Sequence, residues 1–376
     1  MPKNSNYRIV VGLDATPLIK VKGGVGFYVK EIISKLINLD TEILFLFFSP
    51  INSEELKFFD KFSNVKIIIN NKFSFSEALW SQTTLAFLLT KYSVDVFWGT
   101  TQSVPIIKNK KIMTILTIHD FTYILYPQTM STVRRLYLKI FSNIMIKSAN
   151  RIIVNSAATG DKLIKYYQRS SDIILRPPVR STIKLDKNTV IKILNLSNCE
   201  YKNYCLCVAS LEPRKNLVSL INNYSSLLDD GQNLIPLVII GGNGWKNNEI
   251  KKTIEKNLDK YPSKIIFLDF VDEVIYSVYI SSAKLLVMPS IYEGYGMPIA
   301  EARKAGTPIL ATDIPEHREA AENDGNFFPL CEMTSALSKF LDVNYDYEIT
   351  KMPSYYSSVR LASILLDEID SLYLRK

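Results

Sequence analysis

Hydrophobic positions along the chain follow two alternating patterns. Short, continuously apolar runs rich in β-branched and aromatic residues occur at Arg8–Leu13, Ile43–Phe48, Val65–Ile69, Val94–Trp98, Ile112–Ile118 and Arg151–Val154. Between them lie longer stretches of helical period, Val25–Asn38, Glu77–Lys91, Val133–Ser148 and Ala157–Tyr167. The rhythm resumes with Tyr204–Ala209, Pro236–Gly241, Lys264–Asp269, Lys284–Pro289, Pro308–Thr312 and Asn326–Pro329. Strands apolar on both faces and separated by helices predict parallel sheets covered on both sides. The pattern breaks at Arg176-Pro177-Pro178-Val179, where a proline pair ends a strand and residues 181–201 turn polar with weak periodicity. The chain therefore reads as α/β, with two doubly wound domains over residues 1–185 and 186–353. Residues 354–376 form an amphipathic helix with Val359, Ile364, Leu365, Ile369 and Leu372 on or near one face.

Size agrees with two domains, since 376 residues suit about two units of 100–200 residues each. An apolar content of 47% with 22% charged residues argues against disorder. No apolar run approaches the roughly 18–20 residues of a membrane span. The first residues lack signal-peptide anatomy, so a cytoplasmic protein is expected. The net charge of +8 conceals an asymmetry: residues 1–190 hold 26 basic and 13 acidic side chains, a net +13, against 19 and 24, a net −5, in residues 191–376. One domain is thus expected to face an anionic partner: nucleic acid, an anionic membrane surface or a phosphorylated substrate. Cys199, Cys205, Cys207 and Cys331 lack redox or zinc spacing and read as small buried hydrophobes, and two histidines exclude a multi-histidine metal site.

Ligands of open parallel sheets bind beyond the carboxyl ends of the strands, so the unusual strand-to-helix loops are the candidate chemistry. Lys22-Gly23-Gly24-Val25-Gly26-Phe27 allows close backbone approach and offers helix N–H groups to an anion, or is simply a tight turn. It is not a dinucleotide fingerprint. His119-Asp120 follows a strand; His119 is either a ligand to a sugar hydroxyl or phosphate or a structural residue, and Asp120 orients it or caps the next turn. Arg214-Lys215 stands at another such turn, as a diphosphate clamp or as solvated charge. The most specific segment runs from Ser290 to Pro308. Glu293 lies in its loop, Pro298 suits the first turn of a helix that Gly306 stops, and Glu301 lies in that helix with seven residues intervening. Exposed N–H groups near Gly294 and Gly296, flanked by carboxylates, suit a phosphate between two diols, the layout of a sugar nucleotide. The alternative for Glu301 is plain helix surface.

These residues resemble the GT-B-fold glycosyltransferases of family 4, retaining enzymes that use sugar-nucleotide donors. Gly12-Leu13-Asp14-Ala15 with Gly23–Gly26, His119-Asp120, Glu212–Asn216, Gly241–Trp245, the Glu293/Glu301 pair and Ala311–Glu319 follow the family order over nearly the whole chain. The most similar subgroup transfers sugars, often mannose from GDP-mannose, in bacterial O-antigen or capsule assembly. The resemblance implies two Rossmann-like domains facing across a cleft, with the C-terminal helix packing back toward the N-terminal domain. It also implies that Arg214 and Lys215 hold the donor diphosphate, Glu301 the ribose diol and Glu293 a hydroxyl of the transferred sugar. Gly294, Tyr295, Gly296 and Met297 would line the sugar and phosphate pocket, His119 would contact the sugar, and Gly24 would flank the diphosphate. Two positions depart from the pattern: Ser210, where many relatives have arginine, and Asp269, where glycine is common near the base pocket.

The catalytic set implied is therefore His119, Arg214, Lys215 and Glu293. Without an Asp-x-Asp motif, no metal or other cofactor is expected, and no side chain stands out as a nucleophile. The expected partners are a sugar nucleotide and a glycan acceptor, polyprenyl-diphosphate-linked, at the inner face of the cell membrane. Arg134, Arg135, Lys139 and Lys147, on a helix with Val133, Leu136, Tyr137, Ile140 and Ile144, would meet its anionic surface or remain a solvated basic face. No basic-aromatic platform for nucleic acid is evident. The other readings are an inactive sugar-nucleotide-binding assembly protein and a GT-B-fold sugar-nucleotide epimerase.

Overall fold

Seven strands form the first sheet: β1 (Ile9–Asp14), β2 (Ile43–Ser49), β3 (Val65–Ile69), β4 (Val96–Gly99), β5 (Met113–Ile118), β6 (Arg151–Val154) and β7 (Ile173–Ile174). The computed structural model describes residues 7–19, 23–72, 74, 76–345 and 357–375. All pairings are parallel, in the order β3-β2-β1-β4-β5-β6-β7. β7 escapes the sequence pattern because two residues carry no period. Six parallel strands form the second sheet: β8 (Cys205–Val208), β9 (Leu237–Ile240), β10 (Ile265–Leu268), β11 (Leu285–Met288), β12 (Ile309–Thr312) and β13 (Asn326–Phe328), in the order β10-β9-β8-β11-β12-β13. Each sheet runs outward one way from its first strand and then reverses. The reversal opens a crevice between β1 and β4, and between β8 and β11, at the strands' carboxyl ends.

Both sheets bury their central strands on two faces, as the continuous apolar runs predict. β1 is buried along its whole length, and Leu285, Leu286, Val287 and Met288 of β11 are solvent-free. The C-terminal helix, Ser358–Leu374, belongs to the core of the first sheet through Leu361, Ala362, Leu365, Ile369 and Leu372. It contacts the Gly24–Leu39 helix, and its polar side is fastened by Arg151 Nε–Glu368 at 2.7 Å and Arg8 Nη1–Asp370 at 2.9 Å. Val359, expected on the apolar face, is instead half exposed in the first turn; residues 354–356 and Lys376 of the expected helix lie outside the described residues.

The chain divides into two compact units. One holds the chain to residue 123, residues 132–178 and the C-terminal helix; the other holds residues 124–131 and 179–354. Residues 179–185, grouped with the first domain by the sequence pattern, make second-unit contacts. Lys304 Nζ donates to the Val179 carbonyl at 3.1 Å, the Ile183 N–H donates to Ser277 Oγ at 2.7 Å, and Leu185 packs against that unit's core. Within the polar stretch 181–201 lies a helix, Lys187–Asn195, capped by Asp186, of which only Leu194 is fully buried. The expected helix Glu77–Lys91 is interrupted by a π-helical segment, Trp80–Leu85. That segment holds Trp80 Nε1 on the Asn70 carbonyl and Gln82 on the backbone of Val104 and Ile106. Cys199, Cys205 and Cys207 are buried, but Cys331 is exposed, since it falls in a surface 3-10 turn after β13.

Candidate active site

At the β8–β11 crevice the sequence builds a buried ionic cluster. After β8 the chain makes a 3-10 turn, Pro213–Lys215, and Asn216, at φ 58°, redirects it into the helix Leu217–Asp229. The crossing next to this turn is tight: a Cβ on Gly241 would lie 1.8 Å from the Ala209 carbonyl oxygen. The loop after β11 then brings Glu293 to the two cations. Lys215 Nζ lies 2.5 Å from Glu293 Oε1, and Arg214 Nη1 lies 3.0 Å from Oε2. Ser290 Oγ donates to Oε1 at 2.9 Å, while Arg214 Nε bonds Glu212 at 2.9 Å. Glu293 is 5% exposed and Lys215 8%, so these charges are not solvated surface. Burial by itself would raise the Glu293 carboxyl, but Lys215 and Arg214 outweigh it and lower the pKa to about 2. The predicted diphosphate clamp and the predicted sugar-reading carboxylate are thus bonded to one another.

Beyond Glu293, Gly296 takes a φ of +99° and caps the helix Met297–Ala305, with Pro298 in its first turn and Gly306 closing it at φ +71°. The loop Gly294–Met297 therefore ends on a helix N-terminus, as expected. Glu301 faces inward at 3% exposure, which overturns the surface alternative. Its Oε1 receives Arg180 Nη1 at 2.6 Å, and its Oε2 receives the Tyr276 hydroxyl. Neither partner carries a local sequence signal, because each reaches Glu301 from a distant part of the chain. His317, also without an assigned role in the sequence, is solvent-free. Its Nδ1–H donates to the Thr312 carbonyl at 2.9 Å, and Nε2 is buried without a hydrogen-bond partner among the described residues. Burial lowers its pKa to about 4, against the opposing charge of Glu293.

In the first unit, His119 directly follows β5. Its Nε2–H donates to the Thr100 carbonyl at 2.8 Å, and its ring meets Tyr28 edge-on at 5.4 Å. Burial lowers its pKa, so it is neutral at pH 7. Asp120 caps the following turn by accepting from the Thr122 N–H at 2.8 Å; the observed hydrogen-bond partner of His119 is Thr100. Gly24 opens the helix Gly24–Leu39, and Lys22 lies outside the described residues. Asp14, 2% exposed at the end of β1, accepts from the Thr16 N–H at 3.0 Å and the Thr101 hydroxyl at 2.8 Å. The structure thus gathers Arg214, Lys215 and Glu293 into one network and Glu301 into a second, while Gly24 and His119 belong to the other unit.

Two parallel sheets of Rossmann order, with charged loops at the switch point of the second, define the GT-B class of proteins. Residues 22–178 match the family model for Glycosyltransferase Family 4, and residues 195–340 match that for Glycosyl transferases group 1. Together the two matches take in most of the chain, which carries a family 4 and a group 1 glycosyltransferase domain. The chain is 28% identical to the O-antigen chain mannosyltransferase RfbU of Salmonella typhimurium, over 60% of this chain and 58% of that protein. It is 23% identical to O-antigen chain mannosyltransferase B of Escherichia coli, over 56% of each. The matched segment spans just over half the length of these relatives. Among solved structures, Anabaena HepE in complex with UDP-glucose superposes with a TM-score of 0.64 at 15% identity, over 97% of each chain.

Proposed function

We propose that this glycosyltransferase is a retaining enzyme that moves a hexose, with mannose from GDP-mannose the first choice, from a sugar nucleotide to a glycan hydroxyl. The acceptor is polyprenyl-diphosphate-linked, and the setting is assembly of a bacterial surface polysaccharide such as O-antigen. The observation that carries this reading is the Arg214–Lys215–Glu293 cluster at the β8–β11 switch point, with Lys215 and Glu293 buried and Arg214 part-buried; the names of the two relatives suggest the sugar. Breaking the anomeric bond places negative charge on the departing diphosphate and oxocarbenium character on the sugar. Prepositioned Arg214, Lys215 and the N–H groups at Gly296–Met297 stabilise that leaving group, so no metal is required. Glu293 then reads a sugar hydroxyl and Glu301 the ribose diol. Retention follows from attack on the face the phosphate leaves, with the phosphate taking the acceptor's proton.

The acceptor side is read on the helix Thr132–Ser148. Val133, Leu136, Ile140 and Ile144 are exposed at 73, 56, 53 and 46%, beside Arg134, Arg135, Lys139 and Lys147. Tyr137 is the exception, turned inward onto Gln82 and Ser103. An apolar ridge with flanking cations suits an anionic lipid surface, at about 1 kcal/mol per basic residue near it. Among the described residues no helix is long and apolar enough to cross a membrane, so attachment by this reading is peripheral.

A melting-temperature screen against GDP-, UDP- and dTDP-sugars tests the donor, because a ligand that binds only the folded state raises the transition. Absence of a shift with every nucleotide sugar rejects the reading. Labelled donor incubated with lipid-linked acceptor separates transfer from an inactive binding protein, and product formed without acceptor indicates an epimerase. Transfer that survives EDTA supports metal independence; loss restored by Mg²⁺ or Mn²⁺ overturns it.

A further inference from the structure

Glu301 is held by two side chains that the family motif does not contain. Arg180 stands in the segment that opens the second unit, Tyr276 on the helix Glu273–Ser282 and Glu301 on the helix Met297–Ala305. Arg180 Nη1 lies 2.6 Å from Glu301 Oε1, the Tyr276 hydroxyl donates to Oε2, and the guanidinium carbon sits 5.5 Å from the centre of the Tyr276 ring. Glu301 is 3% exposed, and a polar group so buried needs hydrogen-bonding partners. A carboxylate offers about four acceptor sites. One donor on each oxygen therefore fixes the plane of the group and leaves both oxygens able to accept from a vicinal diol.

We propose that Arg180 and Tyr276 are positioning residues that hold the Glu301 side chain in place and aimed, so that discrimination of ribose from deoxyribose in the donor nucleotide depends on them. The inference rests on the reading of Glu301 as the ribose-diol acceptor. It distinguishes two kinds of contact in one site: those reaching the diphosphate through Arg214 and Lys215, and those reaching the ribose through Glu301. Loss of Arg180 or of the Tyr276 hydroxyl should disturb the second kind and spare the first.

The test is calorimetric titration of the full chain with GDP and UDP, each beside its 2′-deoxy form, and with inorganic pyrophosphate as a probe that lacks ribose. Wild type is expected to prefer the ribo form of the nucleotide it binds, and Glu301→Gln to lose about tenfold of that preference or more, as for a lost hydrogen bond to a charged group. Tyr276→Phe, which removes a single hydroxyl, and Arg180→Met should each lose a comparable part while pyrophosphate affinity stays within about twofold of wild type. If Arg180→Met also loses pyrophosphate binding, the site has collapsed in that variant and Tyr276→Phe decides. A ribo preference intact in Tyr276→Phe but lost in Glu301→Gln overturns the positioning role alone. No ribo preference in wild type, an unchanged preference in Glu301→Gln, or binding of neither nucleotide instead overturns the reading beneath it.

Discussion

Asp14 and Glu293 occupy comparable places, each a buried carboxylate at the switch point of a parallel sheet, yet the two are satisfied differently. Among the donors to Asp14 are a backbone N–H and threonine hydroxyls. Glu293 is held by two cations and a serine. The half of the chain with net charge +13 thus brings backbone and hydroxyl donors to its crevice carboxylate, while the half with net charge −5 sets a buried lysine and a part-buried arginine against Glu293. Net charge reports what the surface carries, such as Arg134 and Lys139 on the Thr132–Ser148 helix. It does not report the site, because buried charges come in pairs that cancel in the sum.

The sharpest way to break this comparison is to remove one side of each arrangement. Lys215→Met leaves Glu293 buried beside a single cation, so unfolding in urea should show a loss of about 3–5 kcal/mol. Transfer should fall by about 100–1000-fold, as for loss of a preorganised charge-stabilising donor. Arg214→Ala takes the cation from Glu212 and one of two from Glu293, so a stability loss of similar size should accompany the fall in transfer, and a wild-type rate in that variant removes the clamp from the mechanism. Asp14→Asn should be milder, at about 1–3 kcal/mol, because an amide oxygen still accepts from hydroxyls.

Acid sharpens the contrast next. His317 has a folded pKa of about 4 against an unfolded value of about 6.5. The unfolded chain therefore binds the extra proton first, and stability is lost as pH falls from about 6.5 to about 4. Glu293, at about 2 when folded, adds a loss below its ordinary value of 4.5. The first window should remove on the order of 2–3 kcal/mol, read as a falling melting temperature that His317→Gln flattens; an unchanged melting temperature between pH 6.5 and 4 in wild type contradicts the assignment.

Two glycines give a smaller effect with opposite signs. Gly241→Ala forces a Cβ onto the Ala209 carbonyl and should destabilise by about 1–3 kcal/mol. Gly160, inside the helix Ala157–Tyr167, meets nothing closer than 3.6 Å, so alanine there should stabilise by roughly 0.5–1 kcal/mol in thermal or urea unfolding. The smallest effect on stability is on the exposed ridge. Leu136→Ser with Ile140→Ser should stay within about 0.5 kcal/mol per site, yet abolish flotation with anionic vesicles. Failure of the wild-type chain to bind such vesicles at low salt defeats the membrane reading.

Much of the fold was legible because local patterns carry it. Continuous apolar runs place all but one of the strands, Pro298 and Gly306 bound a helix, and the spacing of Glu293 and Glu301 puts one carboxylate in a loop and the other in that helix. Three kinds of feature were hidden: the two-residue strand β7, which has no period; the short Lys187–Asn195 helix, which buries only Leu194 fully; and the π-helical turn at Trp80, which depends on hydrogen bonds to distant backbone. The orientations of Val359, Tyr137 and Cys331 were hidden too, since each depends on which neighbour arrives, not on spacing.

By itself, then, the sequence determined two parallel α/β sheets, the loops that carry chemistry and the residue types in them, because these follow from periodicity and turn chemistry within a few residues. Only the tertiary structure decided the pairings: Arg214 with Glu293 across 79 positions, and Arg180 with Glu301 across 121. Those contacts join side chains on loops, a turn and a helix far apart along the chain, and no local pattern encodes which carboxylate a cation will meet.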